Sequence, residues 1–297
     1  ELGNYNNAIS TYKEIIKNFP NSAEARASIS GLKNIYFEQN DIDGYAAYVE
    51  TLNGLVKFEK SEQDSLTYMA AERQYEKGMY EKAITSFGNY INKYPNSGFV
   101  YNAHFNIANC YYNLGNKEMA ETEYRIIAKQ VGYPDREEAL KRLSEILFDT
   151  HRYSAAIETM STLDTIAQNA ENRLAAKIGI LRCNNMLGKS DETILAANAI
   201  IQSDKLDPGI VREAIYSRAK AYELKGDSAN ALKDYQELST NCMDEYGAES
   251  KYRVAEYYFF MNDLKKSEKE IFEFIDKNTP HQYWLAKSLI LLADINL

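Results

Sequence analysis

Residues 64–97 read DSLTYMAAERQYEKGMYEKAITSFGNYINKYPNS, and this stretch decides the fold. Ala71 and Tyr75 precede Gly78, while Ala83, Phe87 and Tyr90 follow it at spacing i, i+4, i+7, and Pro95 closes the stretch. An i, i+4, i+7 set shares one face of an α-helix. Glycine accepts the left-handed conformation that ends a helix, and proline in a helix interior costs about 3 kcal/mol. The stretch therefore predicts two helices joined at Gly78 and finished before Pro95.

The arrangement recurs along the chain. Small residues stand at Ala8, Gly44, Ala83, Ala120, Ala156, Thr193, Ala231 and Ser267, separated by 36, 39, 37, 36, 37, 38 and 36 residues. Four residues on are Tyr12, Tyr48, Phe87, Tyr124, Met160, Ala197, Tyr235 and Ile271; seven on are Ile15, Thr51, Tyr90, Ile127, Leu163, Ile200, Leu238 and Phe274. Twelve residues before each small residue, a second series reads Leu32, Ala71, Ala108, Ser144, Leu181, Ala219 and Ala255, and Ala293 continues it. Small side chains on both helices let two backbones cross closely. Gly3, Gly78, Gly115, Gly188 and Gly226 mark the turns, with Asn40-Asp41, His151 and Asn262 at matching places. All five prolines (Pro20, Pro95, Pro134, Pro208, Pro280) fall between hairpins. The expected segments are a half at 1–22, hairpins at 23–60, 64–97, 101–134, 137–170, 174–207, 212–245 and 248–280, and a half at 281–297, forming one array over 1–297. The widest separation calls for a kink or a longer loop in the charged stretch Lys57 to Asp64.

Cut half-hairpins leave apolar stripes without a partner helix, since each repeat buries its face on its neighbours. Leu289, Ile290 and Leu292 are expected to be so exposed, and the opening Glu1-Leu2-Gly3 lacks a methionine, so the chain reads as an internal piece of a longer array.

Composition narrows the function. Of 297 residues, 45% are hydrophobic and 26% charged, the balance of a folded domain. A net charge of −9 argues against nucleic acid, which demands a basic stripe; the pair Lys265-Lys266 is diluted by Glu268 and Glu270. No apolar run approaches the roughly 20 residues of a membrane helix. Cys110, Cys183 and Cys242 are too few and scattered for a disulfide framework or zinc site and read as buried small hydrophobes. His104, His151 and His281 fall in separate repeats without paired-ligand spacing, and no glycine-rich phosphate loop occurs. The reading is a non-enzyme without a cofactor.

The motif resembles the tetratricopeptide repeat, a 34-residue pattern with a small residue in each helix, a glycine turn and a terminal proline. Ala71, Tyr75, Gly78, Tyr80, Ala83, Phe87, Tyr90 and Pro95 carry the resemblance best. It departs in a longer period and in lacking the usual early tryptophan, since Trp284 precedes that position. The resemblance implies an all-α, right-handed superhelix of about eight hairpins whose first helices line a concave groove for a protein or peptide partner. Counted along the repeat, the groove positions hold Tyr75, Phe105, Asn106, Asn109, Tyr112, Asn113, Arg142, Phe148, Arg182, Asn185, Tyr216 and Lys220, besides Tyr68, Glu72, Lys141, Glu145, Tyr252, Arg253, Glu256 and Phe259. Aromatic platforms beside amides suit peptides, and Arg142, Arg182 or Arg253 suit a carboxylate. Equally, the 24 tyrosines fit packing of hairpin on hairpin with a wet hydroxyl. Phe105 occupies the place where the chaperone-type carboxylate clamp has a lysine, so that ligand class is not implied.

The stretch Tyr80 to Leu114 is similar to the tetratricopeptide domains of bacterial cell-envelope proteins, the outer-membrane assembly lipoproteins and the periplasmic partner of the Tol-Pal system. That likeness implies protein partners at the envelope and a periplasmic or outer-membrane-associated location. Two other readings stand beside it: a cytoplasmic adaptor or sensor domain fused to another module, and end-to-end self-association of an open array.

Overall fold

The computed structural model describes residues 5–203 and 205–297; the turn expected at Gly3 lies outside them. Sixteen α-helices and no strand occur among the described residues. A single helix, α1 (Tyr5–Asn18), precedes seven hairpins: α2 (Ala23–Glu38) with α3 (Ile42–Glu50), α4 (Lys60–Glu76) with α5 (Tyr80–Lys93), α6 (Val100–Asn113) with α7 (Lys117–Ala128), α8 (Arg136–Asp149) with α9 (Tyr153–Ile166), α10 (Ala170–Met186) with α11 (Ser190–Ile201), α12 (Pro208–Leu224) with α13 (Ser228–Leu238), and α14 (Glu245–Phe260) with α15 (Leu264–Asp276). A last single helix is α16 (Gln282–Ile295). The chain divides into two compact units, Glu1–Ala139 and Leu140–Leu297, each an all-helical stack.

Every described hairpin turn pivots on one left-handed residue. Gly78, Gly115, Gly188 and Gly226 have φ of 72°, 76°, 66° and 75°, and Asn40, His151 and Asn262 adopt 55°, 59° and 57° in their place. A β-carbon makes this region costly, which is why glycine or asparagine predominates there. Five residues after each pivot comes the helix-crossing position: Ala83, Ala120, Ala156, Ala231 and Ser267 are wholly buried, and Thr193 nearly so. Phe87 and Tyr90 beyond Ala83, Tyr124 and Ile127 beyond Ala120, and Tyr235 and Leu238 beyond Ala231 are also 0% exposed.

The same count corrects the second hairpin. Five residues after Asn40 is Tyr45, not Gly44. Tyr45 and Val49 are buried, whereas Gly44 and Tyr48 are half-buried and Thr51 is exposed, so the buried stripe of α3 lies one residue later than the small-residue count places it. Gly44 instead donates its N–H to the Asp41 carboxylate that caps α3. Tyr45 fills the crossing with a ring packed edge-on to Phe58, 5.0 Å between centroids. With Tyr45 the spacings become 37 and 38 rather than 36 and 39. The extra chain is a longer connection at residues 51–59, with Asn53 and Gly54 left-handed; residues 60–64 of the charged stretch are already helical.

Other boundaries move by a turn. α10, α12 and α14 begin at Ala170, Pro208 and Glu245, three or four residues before the expected starts, because a 34-residue count truncates first helices of 16 or 17 residues. Pro208 opens α12, where its missing N–H costs nothing, and Asp207 caps it. At the end of the C-terminal unit, α16 lays Leu291 against Tyr252, Ala255 and Ile271, with Leu292 packed beside them. Leu292 is therefore received, contrary to expectation, while Leu289 and Ile290 remain exposed.

Candidate functional site

In the N-terminal unit the expected groove residues turn toward one another. Tyr124 of α7 is fully buried; its hydroxyl donates to Asn109 Oδ1 at 2.7 Å, and Phe105 and Tyr112 meet its ring edge-on at 6.1 and 6.5 Å. Asn106 donates to the Tyr68 hydroxyl at 3.0 Å, joining α6 to α4. Tyr68 in turn donates to Glu72 at 2.8 Å, and burial first, then that bond, push its phenol far above the ordinary range, so it stays a donor. Tyr75 packs on Tyr80 at 5.9 Å, and exposed Asn113 donates to the Asn109 carbonyl on its own helix. Phe105, Asn109 and Tyr112 thus surround one buried tyrosine. Much of the tyrosine count is packing.

In the C-terminal unit each expected arginine already faces a carboxylate. Arg182 of α10 grips Glu213 of α12 with both edges, at 2.6 and 2.8 Å. Arg142 meets Glu145 at 3.3 Å, and Arg253 meets Glu256 at 2.8 Å, with Glu249 and Glu223 at 3.5 and 3.6 Å. Tyr216 donates to Glu249 at 2.6 Å, and Lys220 reaches the same carboxylate at 3.3 Å. Bidentate and charge-assisted bonds of this kind tie successive first helices together. Asn185 stands exposed at the end of α10.

A hollow of about 410 Å³ opens between α8 and α10. Phe148 and Arg182, both expected at the groove, line it, as do Lys141 and Glu145; Arg142, Asn185, Tyr216 and Lys220 do not. Its floor is Met160, Leu163, Ala176 and Gly179, with Ala175 exposed at the mouth and Ile210 closing one side. Gly179 lies directly against Met160: a β-carbon there would stand 2.4 Å from Sδ and push the flexible thioether aside. Phe148 is held edge-on by Tyr153 at 5.5 Å, which fixes one wall. The rim carries Lys141 and Arg182 against Glu145 and Asp149, so the hollow is apolar within and mixed in charge around its mouth. Ala175, Gly179 and Ile210 carried no signal in the sequence, because small or apolar residues on an amphipathic helix read as packing.

Elsewhere in this unit, Arg212 of α12 closes on Asp244 at 2.5 and 2.8 Å and on the Asn241 carbonyl at 3.0 Å, while Gly247 N–H donates to Asp244 at 2.7 Å. Burial alone would raise the Asp244 pKa; Arg212 and the Gly247 amide outweigh it and hold the carboxyl below its ordinary value. A depressed carboxyl stabilises the fold above its unfolded pKa, about 3.9, and that contribution is lost as pH falls through the lower folded value. The urea midpoint of the C-terminal unit is therefore expected to drop below about pH 4, and Asp244→Asn should flatten that drop. An equal drop in the variant would remove Asp244 from the account.

The class that this architecture defines is a stack of helical hairpins with a left-handed turn and a small-residue crossing. Residues 1–22 and 64–97 match one family model described as tetratricopeptide repeat, and residues 101–125 match a second of the same description. These three segments are similar to tetratricopeptide repeats. Among solved structures, it is similar to a tetratricopeptide repeat protein from Parabacteroides merdae, at 15% identity and TM-score 0.39, covering 94% of this chain and 99% of that one. A second likeness is to the nearly identical repeats of a Podosopora anserina putative kinesin light chain, at 15% identity and TM-score 0.42, covering 62% of this chain and 96% of that one. No protein of curated function matches.

Proposed function

We propose that the chain is a non-catalytic scaffold at the bacterial cell envelope, and that its C-terminal unit receives an apolar side chain of a protein partner in the hollow between α8 and α10. The observation that carries this reading is the hollow itself: about 410 Å³ with an apolar floor on the first-helix side, large enough for a leucine, methionine or phenylalanine anchor. Because Arg142, Arg182 and Arg253 are committed to internal carboxylates, the partner is read by its apolar anchor and backbone rather than by a carboxylate. The envelope placement is supported by the likeness of Tyr80 to Leu114 to envelope tetratricopeptide domains.

Ala175→Phe tests it, since Ala175 is exposed at the mouth and a phenyl ring there fills the hollow without entering the core. Affinity capture from separated periplasmic and cytosolic extracts of the source cells is expected to retain a partner from the periplasmic extract with the wild-type chain and to lose it with Ala175→Phe at unchanged helicity. Capture indifferent to Ala175→Phe would place the binding surface elsewhere, and a partner drawn only from the cytosol would overturn the envelope placement.

A further inference from the structure

A second hollow, open to solvent on one side, lies in the N-terminal unit between the C-terminal half of α1 and the end of α3, with a volume of about 490 Å³. Its origin is local. α3, at nine residues, is the shortest described helix, and after Glu50 the chain turns away through left-handed Asn53 and Gly54. The volume that a further helical turn would occupy against α1 is left open.

The charge of that hollow is the reverse of the chain's. Lys13 and Lys17 line it and, among the described residues, no carboxylate does, in a protein of net charge −9. Lys13 Nζ is placed by neutral groups: it donates to the Tyr36 hydroxyl at 3.2 Å and sits 4.7 Å from the Tyr48 ring centroid. Other lysines of this unit are spent differently, Lys33 on Glu62, Lys77 on Glu38 and Lys93 on Asp43. An ammonium has three donors, so Lys13 keeps two beyond its bond to Tyr36. The two helix C-termini nearby contribute about half a negative charge each, which two lysines outweigh. Leu52, Leu55 and Pro20 supply apolar wall beside these cations, and the volume falls in the range of small-molecule sites, roughly 300–1,000 Å³.

We propose that this hollow binds a small organic anion, a carboxylate or sulfonate on an apolar body, with Lys13 and Lys17 holding the anionic group and Leu52 and Leu55 covering the body. The site stands in the other compact unit from the partner hollow and does not depend on it.

The test uses 1-anilinonaphthalene-8-sulfonate as probe, in the Ala175→Phe background so that the hollow between α8 and α10 is filled. Fluorescence titration at low salt is expected to show one site, with its amide shifts confined to α1, α3 and residues 51–55. Lys13→Gln with Lys17→Gln should weaken it about tenfold, the scale of two screened charge contacts, and higher salt should weaken it too. Lys17→Gln alone, at an exposed position, should weaken it about threefold if Lys13→Gln disturbs the fold. Leu55→Ser should weaken it with both lysines in place. Affinity unchanged in the lysine variants would overturn the proposal, as would inorganic phosphate binding as tightly as the probe, which would make this a bare anion site.

Discussion

Phe87→Ala is expected to destabilise the N-terminal unit by about 3–5 kcal/mol, the cost of emptying a buried aromatic site. Phe87 lies four residues beyond the crossing residue Ala83 and is 0% exposed, within a cluster formed by Ala71, Tyr90, Ala103 and Ile107. Its ring centroid stands 5.7 Å from that of Tyr68, so the deletion also removes an aromatic pair. The cluster joins α4, α5 and α6, two successive hairpins, and in a stack stability is the sum of units and their neighbour interfaces. Loss at Phe87 thus weakens both hairpins at once. Urea unfolding followed by helical circular dichroism measures it, read on the transition of this unit. A loss below about 1 kcal/mol would mean that position 87 does not occupy the buried stripe, and the register of the whole chain would fall with it.

The second large effect lies in the C-terminal unit. Arg218 of α12 holds Asp234 of α13 with two bonds of 2.8 and 2.7 Å, and its third nitrogen donates to Asn198 of α11 at 2.6 Å. The Asp234 side chain is 3% exposed and that of Arg218 18%. Removing one partner of a buried pair leaves the other charge uncompensated, at about 3–5 kcal/mol, whereas an apolar pair of similar volume is often neutral. Asp234→Ala should therefore cost that amount, and Arg218→Met with Asp234→Leu should cost much less than the single change. A double variant as unstable as Asp234→Ala would show that the pair itself, rather than the orphaned guanidinium, carries the energy.

Neither Arg218 nor Asp234 stood out in the sequence, and the reason is general to this fold. Hairpins, their turns and their crossings follow from local rules: a left-handed pivot at Gly78 or Asn262, a small residue five positions later, bulky residues at i+4 and i+7. These are contacts within about 15 residues, and periodicity reports them. Only in the hairpin that pivots on Asn40 did the small-residue count drift by one, and there Tyr45 took the crossing that Gly44 was expected to hold.

The groove was less legible. Periodicity says which face of a helix a side chain leaves from, not which neighbour a long side chain then reaches. Arg182 leans to Glu213, Tyr216 to Glu249 and Asn106 to Tyr68, each partner more than 30 residues away on the next or preceding first helix. Only the stacking of hairpins sets those distances. The two hollows are further still from the sequence, because each is a missing volume: one left where Gly179 lets Met160 come close to α10, the other where α3 stops after nine residues. The sequence by itself determined the hairpins, through short-range conformational preference and burial. The tertiary structure decided which polar side chains are consumed between hairpins and where space remains, since both depend on atoms brought together from distant parts of the chain.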